Sequence, residues 1–162
     1  MPGTHTEKAF ETAIEEYLIA AGGYEKGDPD KFDRDRALFP QDILSFVRET
    51  QPEEWAYLEK LQKNKAEETL LDDLCRALDS PYEGSLSVLR HGFKCFGKLF
   101  RVAYFTPASG LNPDTQKLYD ANRLTITRQL RYSNQHGNTL DVVLSLNGIP
   151  IATVELKNPM TG

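Results

Sequence analysis

The sequence has no apolar run approaching the ~18 residues that a membrane-spanning helix requires. Its first residues, Met1-Pro2-Gly3-Thr4-His5-Thr6-Glu7, have neither the basic start nor the apolar core of a secretory signal. A cytoplasmic location with no membrane partner is expected. Only 2 cysteines, Cys75 and Cys95, are present, which excludes a disulfide framework. Cys75 falls in a helical pattern with Leu70, Leu71, Leu74 and Leu78, so its thiol is predicted to be buried. The three histidines, His5, His91 and His136, share no ligand spacing with each other or with the cysteines, which argues against zinc. Internal repeats, low-complexity tracts and a glycine-rich phosphate loop are also lacking. The remainder has the composition of an ordinary globular protein, and its 162 residues suit a single domain.

The formal charge of −5 conceals an uneven distribution. Residues 1–83 carry 10 Lys and Arg against 20 Asp and Glu, whereas residues 84–162 carry 9 against 4. The second segment is therefore basic, with Asp141 and Glu155 embedded in it, an arrangement suited to a polyanionic substrate.

Hydrophobic periodicity divides the chain at a similar place. Residues 1–83 read as mainly helical. Thr4 and Glu7 form a capping-box signature, apolar residues recur at Ala9, Phe10, Ala13, Ile14, Tyr17, Leu18 and Ala21, and Gly22-Gly23 mark the stop. A polar, turn-rich stretch covers 24–39. Helical patterns return around Ile43–Val47, Trp55–Leu61 and Ala66–Leu78, with Trp55 expected in the helical packing. From residue 84 onward the pattern is mainly that of strands. Candidates are Ser87–Arg90, Leu99–Phe105, Leu124–Tyr132, Leu140–Leu146 and Pro150–Asn158, with a short helix over Asp114–Ala121. The predicted class is α/β, a mixed and mostly antiparallel sheet with an N-terminal helical layer.

The last two strand patterns carry the chemistry. Leu140, Val142, Leu144 and Leu146 occupy even positions, as do Pro150, Ala152, Val154 and Leu156. Both strands are thus predicted to bury an even face and display an odd one. Asn147-Gly148 between them is a strong hairpin signal. A plain two-residue turn would pair even positions with odd ones and set each core face against a polar face. The pattern instead predicts an odd-length loop, a three-residue turn with a Gly bulge, that pairs even with even. Asp141 then lies opposite Glu155 or within one pair of it, on one face with Glu155 and Lys157.

These residue types suit phosphodiester hydrolysis, in which water must reach a phosphorus shielded by anionic oxygens. Two carboxylates can hold a hard divalent cation, and Mg²⁺ is expected because it binds few protein oxygens and keeps its waters. Mn²⁺ is the expected substitute. The carbonyl of Leu156 is a candidate third ligand. Lys157 would orient the attacking water or stabilise the phosphorane by charge.

Asp141 followed by Glu155-Leu156-Lys157 resembles the PD-(D/E)xK nuclease motif, with Leu140 where the motif has Pro. More specifically, Asn122-Arg123-Leu124, Arg128-Gln129-Leu130-Arg131-Tyr132-Ser133, Leu140–Pro150 and Glu155–Asn158 resemble the N-terminal nuclease domain of type I restriction enzyme R (HsdR) subunits. The resemblance extends upstream through Phe105-Thr106-Pro107, Val88–Phe93, Thr50-Gln51-Pro52 and Phe10-Glu11, and so covers most of the chain. It implies a restriction-endonuclease-like core and a Mg²⁺-dependent endonuclease acting on double-stranded DNA. It also implies partner methylation and specificity subunits, and an ATP-driven motor in domains that would follow Gly162. On this reading residues 1–162 are the nuclease domain alone. The resemblance places a further metal-side carboxylate at Glu11, although Glu7 and Glu15 lie one helical turn away on a similar face. Arg128, Gln129, Arg131 and Tyr132 on the neighbouring strand are candidate DNA contacts. Two other readings are a stand-alone repair or junction nuclease with the same motif and a non-catalytic DNA-docking module. The intact Asp141, Glu155 and Lys157 argue against the second.

Overall fold

Helical and strand segments interleave along the chain more than a division at residue 83 implies. The computed structural model describes residues 6–157. In chain order the elements are α1 (Glu7–Ala21), β1 (Tyr24–Lys26), α2 (Pro40–Thr50), α3 (Pro52–Gln62), α4 (Ala66–Asp79) and α5 (Gly84–His91). They continue with β2 (Phe93–Cys95), β3 (Lys98–Phe100), α6 (Pro113–Asp120), β4 (Leu124–Arg131), β5 (Thr139–Leu146) and β6 (Ile149–Val154). Among the described residues no helix is long and apolar enough to cross a membrane. The residues form two compact units, Met1–Phe39 with Arg123–Gly162, and Pro40–Asn122.

The first unit is built on a four-stranded sheet in the order β1-β4-β5-β6. β1 runs parallel to β4, and the other two pairings are antiparallel. This is the mixed, mostly antiparallel sheet expected of a restriction-endonuclease-like α/β fold. Beyond β1 the chain stays against β4, where the Gly27 N–H donates to the Ile126 carbonyl at 2.8 Å. A Cβ at Gly27 would meet the Thr127 hydroxyl at 2.0 Å, so this close approach requires glycine. Phe39 packs with Leu130 and Val143, and Phe32 and Leu140 close the margin of that cluster.

α1 belongs to this unit, and the Thr6 hydroxyl caps it by accepting from the Ala9 N–H at 3.2 Å. The Thr4 part of the predicted capping box lies outside the described residues. The apolar residues of its helical pattern are not its most buried: Phe10 and Tyr17 are exposed, Ile14 and Leu18 are half-buried, and the buried residues of α1 are Glu11 and Glu15.

The β5–β6 hairpin reaches the anticipated pairing by a different device. Asn147 (φ 49°) and Gly148 (φ 87°) both adopt positive φ, as a two-residue I′ turn demands. Leu146 therefore pairs with Ile149, and Ser145 with Pro150, even against odd. The register then shifts, Ile151 is passed over as a bulge, and Leu144 pairs with Ala152 and Val142 with Val154. A tight I′ turn and even-with-even packing conflict by one residue, and the bulge absorbs the difference. The expected display of odd residues fails in β5, because Val143 and Ser145 are fully buried in a strand flanked on both sides.

The second unit contains α2–α6 and the β2–β3 hairpin, with Phe46, Leu58, Leu70, Leu74, Phe93 and Phe100 among its buried side chains. Trp55 is buried as expected, with the Arg48 guanidinium over its ring at 4.6 Å. Two strand expectations fail here. Ser87–Arg90 is part of helix α5, and the strand at Leu99 is only three residues long, paired with Phe93–Cys95. A short apolar run does not distinguish a helical turn from a strand. The buried cysteine is Cys95, whereas Cys75 is half-buried. Burial, reinforced by the Asp73 carboxylate, pushes the Cys95 thiol up to about 12.

Asn147 fastens the hairpin to β4. Its side-chain oxygen accepts from the Arg123 N–H at 2.7 Å, and its own N–H donates to the Arg123 carbonyl at 2.8 Å. Asn147→Gly keeps the backbone freedom and loses the side-chain carboxamide, at a cost of about 1–2 kcal/mol. Asn147→Ala also pays the left-handed penalty and should cost about 2–3 kcal/mol. Urea denaturation of both variants measures the difference.

Candidate active site

The β5–β6 pairing ends at Val142 and Val154, one residue short of Asp141 and Glu155. The chain leaves strand geometry after Val154, but the two segments stay joined: the Leu156 N–H donates to Asp141 Oδ2 at 2.7 Å. Asp141 is half-buried, whereas Glu155 and Lys157 are exposed. Among the described residues the Glu155 and Lys157 side chains make no hydrogen bond or ion pair. The site is therefore one oriented carboxylate, one unengaged carboxylate and one unengaged ammonium at the open end of a hairpin.

On β4, Arg128 and Gln129 turn toward α1. The Arg128 guanidinium donates from Nε and Nη2 to Glu11 Oε2, both at 3.2 Å, and from Nη1 to Glu15 Oε2 at 3.2 Å. Glu11 is 4% exposed and Glu15 6%. The burial of two acids on α1 is thus explained by one shared cation, since an unpaired buried carboxylate would be strongly disfavoured. Lys26 approaches Glu15 at 3.6 Å from a largely exposed position, a weak addition. Gln129 donates to Glu11 Oε1 at 2.8 Å and to Asp141 Oδ1 at 3.4 Å, and its own Oε1 accepts from the Thr139 hydroxyl at 2.9 Å.

Arg128 and Gln129, expected to face DNA, are thus engaged by the acids of α1 and by Asp141. Arg131 and Tyr132 remain at the surface, with Tyr132 set edge-on to His136 at 5.4 Å between ring centroids. Glu11 lies close to Asp141 through Gln129, but both of its carboxylate oxygens already hold donors. Among the described residues no three His, Cys, Asp or Glu side chains converge as a metal-binding group. Glu15 and Thr139 had no assigned role in the sequence. The four-residue spacing of Glu11 and Glu15 was the available signal, because it places both on one helix face.

Removing Arg128 would leave two buried carboxylates uncompensated. Arg128→Ala is expected to lower the stability of the folded chain by about 3–5 kcal/mol. Adding Glu11→Gln and Glu15→Gln to that variant should recover much of the loss, because no buried charge then remains unpaired. Denaturant titrations of the single and triple variants test this.

The family model described as type I restriction enzyme R protein N terminus matches residues 4–161. No curated protein and no solved structure matches the chain. With nearly its whole length matched, the chain belongs to the family of type I restriction enzyme R protein N termini.

Proposed function

We propose that this chain is the DNA-cutting domain of a type I restriction R subunit, hydrolysing phosphodiester bonds with a divalent cation held by Asp141 and Glu155. The observation that carries the reading is the 2.7 Å bond from the Leu156 N–H to Asp141 Oδ2, which ties Asp141 to the segment that bears Glu155 and Lys157. Family membership supports it independently.

The residues fit such an ion by their chemistry. Asp141 and Glu155 supply hard anionic oxygens and the Leu156 carbonyl a neutral one, and Mg²⁺ characteristically takes one or two carboxylates and keeps its waters. When bound, the cation would neutralise charge developing on the phosphate and lower the pKa of a bound water. Glu11 could join the ligand set only by exchanging its donors from Arg128 and Gln129. Lys157 follows Glu155 by two residues and has no competing carboxylate among the described residues. Its ammonium is free to hold the attacking water or to stabilise the five-coordinate phosphorus. Arg131 and Tyr132 are exposed at the end of β4 and would contact the duplex. Within the complex, methylation and specificity subunits would choose the DNA and an ATP-driven motor would move it. Mn²⁺ is expected to replace Mg²⁺.

Calorimetric titration with Mn²⁺ tests the reading. The chain should bind the ion, Asp141→Ala should abolish binding, and Lys157→Ala should leave binding intact while removing cleavage by the assembled R subunit. Equal Mn²⁺ binding by the parent and Asp141→Ala would overturn the hairpin site and favour a non-catalytic docking role.

A further inference from the structure

Gln129 adopts φ 50° in the middle of β4. The other non-glycine residues with positive φ among the described residues, Ala37, Lys63, Phe96 and Asn147, lie in turns or at a helix end. A glutamine has no intrinsic tolerance for this region, so the conformation persists only because surrounding contacts impose it. Its consequence is visible in the side chains. In a regular strand consecutive residues point to opposite faces, yet Arg128 and Gln129 both reach Glu11.

The contacts of the carboxamide are specific. The Thr139 hydroxyl donates to Oε1, which fixes the orientation of the group and turns Nε2 toward the acids. Nε2 has two hydrogens and faces two carboxylates, one on Glu11 and one on Asp141. On one side of Gln129, Glu11 and Glu15 share the Arg128 guanidinium. On the other side is Asp141, which also accepts from the neutral Leu156 N–H.

We propose that Gln129 is a positioning residue that acts as a neutral spacer, orienting Asp141 for a cation while keeping it apart from the pair that shares Arg128. A donor without charge can hold both carboxylates in place and leave the negative charge of Asp141 available. A guanidinium in the same position would satisfy that charge internally. The inference rests on the reading of Asp141 as a metal ligand, and it assigns Gln129 to Asp141 rather than to DNA.

Two substitutions separate positioning from a merely structural role. Gln129→Met keeps the length and the backbone strain but has no N–H to donate. Gln129→Gly also lacks the carboxamide but relieves the strain. Mn²⁺ affinity by calorimetry and folding by urea denaturation are measured for both and for Asp141→Ala in the 162-residue chain. Both Gln129 variants should bind Mn²⁺ about 10- to 100-fold more weakly, the loss typical of removing a group that orients a metal ligand. Gln129→Gly should do so with a urea midpoint at or above that of the parent. If Gln129→Gly binds Mn²⁺ as tightly as the parent while Asp141→Ala does not bind, the spacer role is overturned and the metal site stands. If Asp141→Ala binds as tightly as the parent, the metal reading falls and the spacer role with it.

Discussion

The pairing of Val142 with Val154 and of Leu144 with Ala152 is the constraint on which the rest of the site depends. It keeps the apolar positions of β5 and β6 in step, and it ends one residue short of Asp141 and Glu155, at the open end of the hairpin. A one-residue error would separate the two carboxylates and turn β6 over. The chain holds the register at the closed end, where Asn147 binds the backbone of Arg123 through both its side chain and its main chain. The Phe39 N–H adds a bond to the Gly148 carbonyl at 2.9 Å. The Ile151 bulge then corrects the pairing before the functional end is reached. Fold stability and site geometry are therefore one problem in this hairpin.

Charge is organised in two neighbouring systems. One is internally paired: the Arg128 guanidinium is shared by Glu11 and Glu15, and these groups join α1 to the sheet. The other, made of Asp141, Glu155 and Lys157, makes no ion pair among the described residues. Such a division suits a site whose compensating charge is brought by a cation and whose substrate is itself anionic. The Gln129 carboxamide, on a strained backbone, lies between the two systems and donates to both Glu11 and Asp141.

Much of this was legible from residue pattern. The long strands at Leu124 and Leu140 occur close to their predicted bounds, because alternating apolar residues and an Asn-Gly turn are strong local signals, whereas the strand predicted over Pro150–Asn158 ends at Val154, with Asn158 outside the described residues. The pairing of even residues was also legible, from packing alone. The bulge at Ile151 was not, because it arises from a conflict between turn geometry and strand parity, and either device satisfies the pattern. α1 misled in a different way. Its periodicity marks Phe10, Ala13 and Tyr17, and only a cation supplied by β4 makes Glu11 and Glu15 the buried face. Helix α5 shows the limit of a four-residue apolar run, and β2 was too short to register as a strand. The positive φ at Gln129 leaves no trace in the residue sequence.

The most direct test of the cation site is paramagnetic broadening of backbone amide signals at substoichiometric Mn²⁺. The account predicts that the amides of Asp141 and Leu156 broaden first, with those of Gln129 and Lys157 following. Broadening that instead begins in the acid-rich helical stretches, such as Glu53-Glu54 or Glu67-Glu68, would contradict a metal centre on the hairpin.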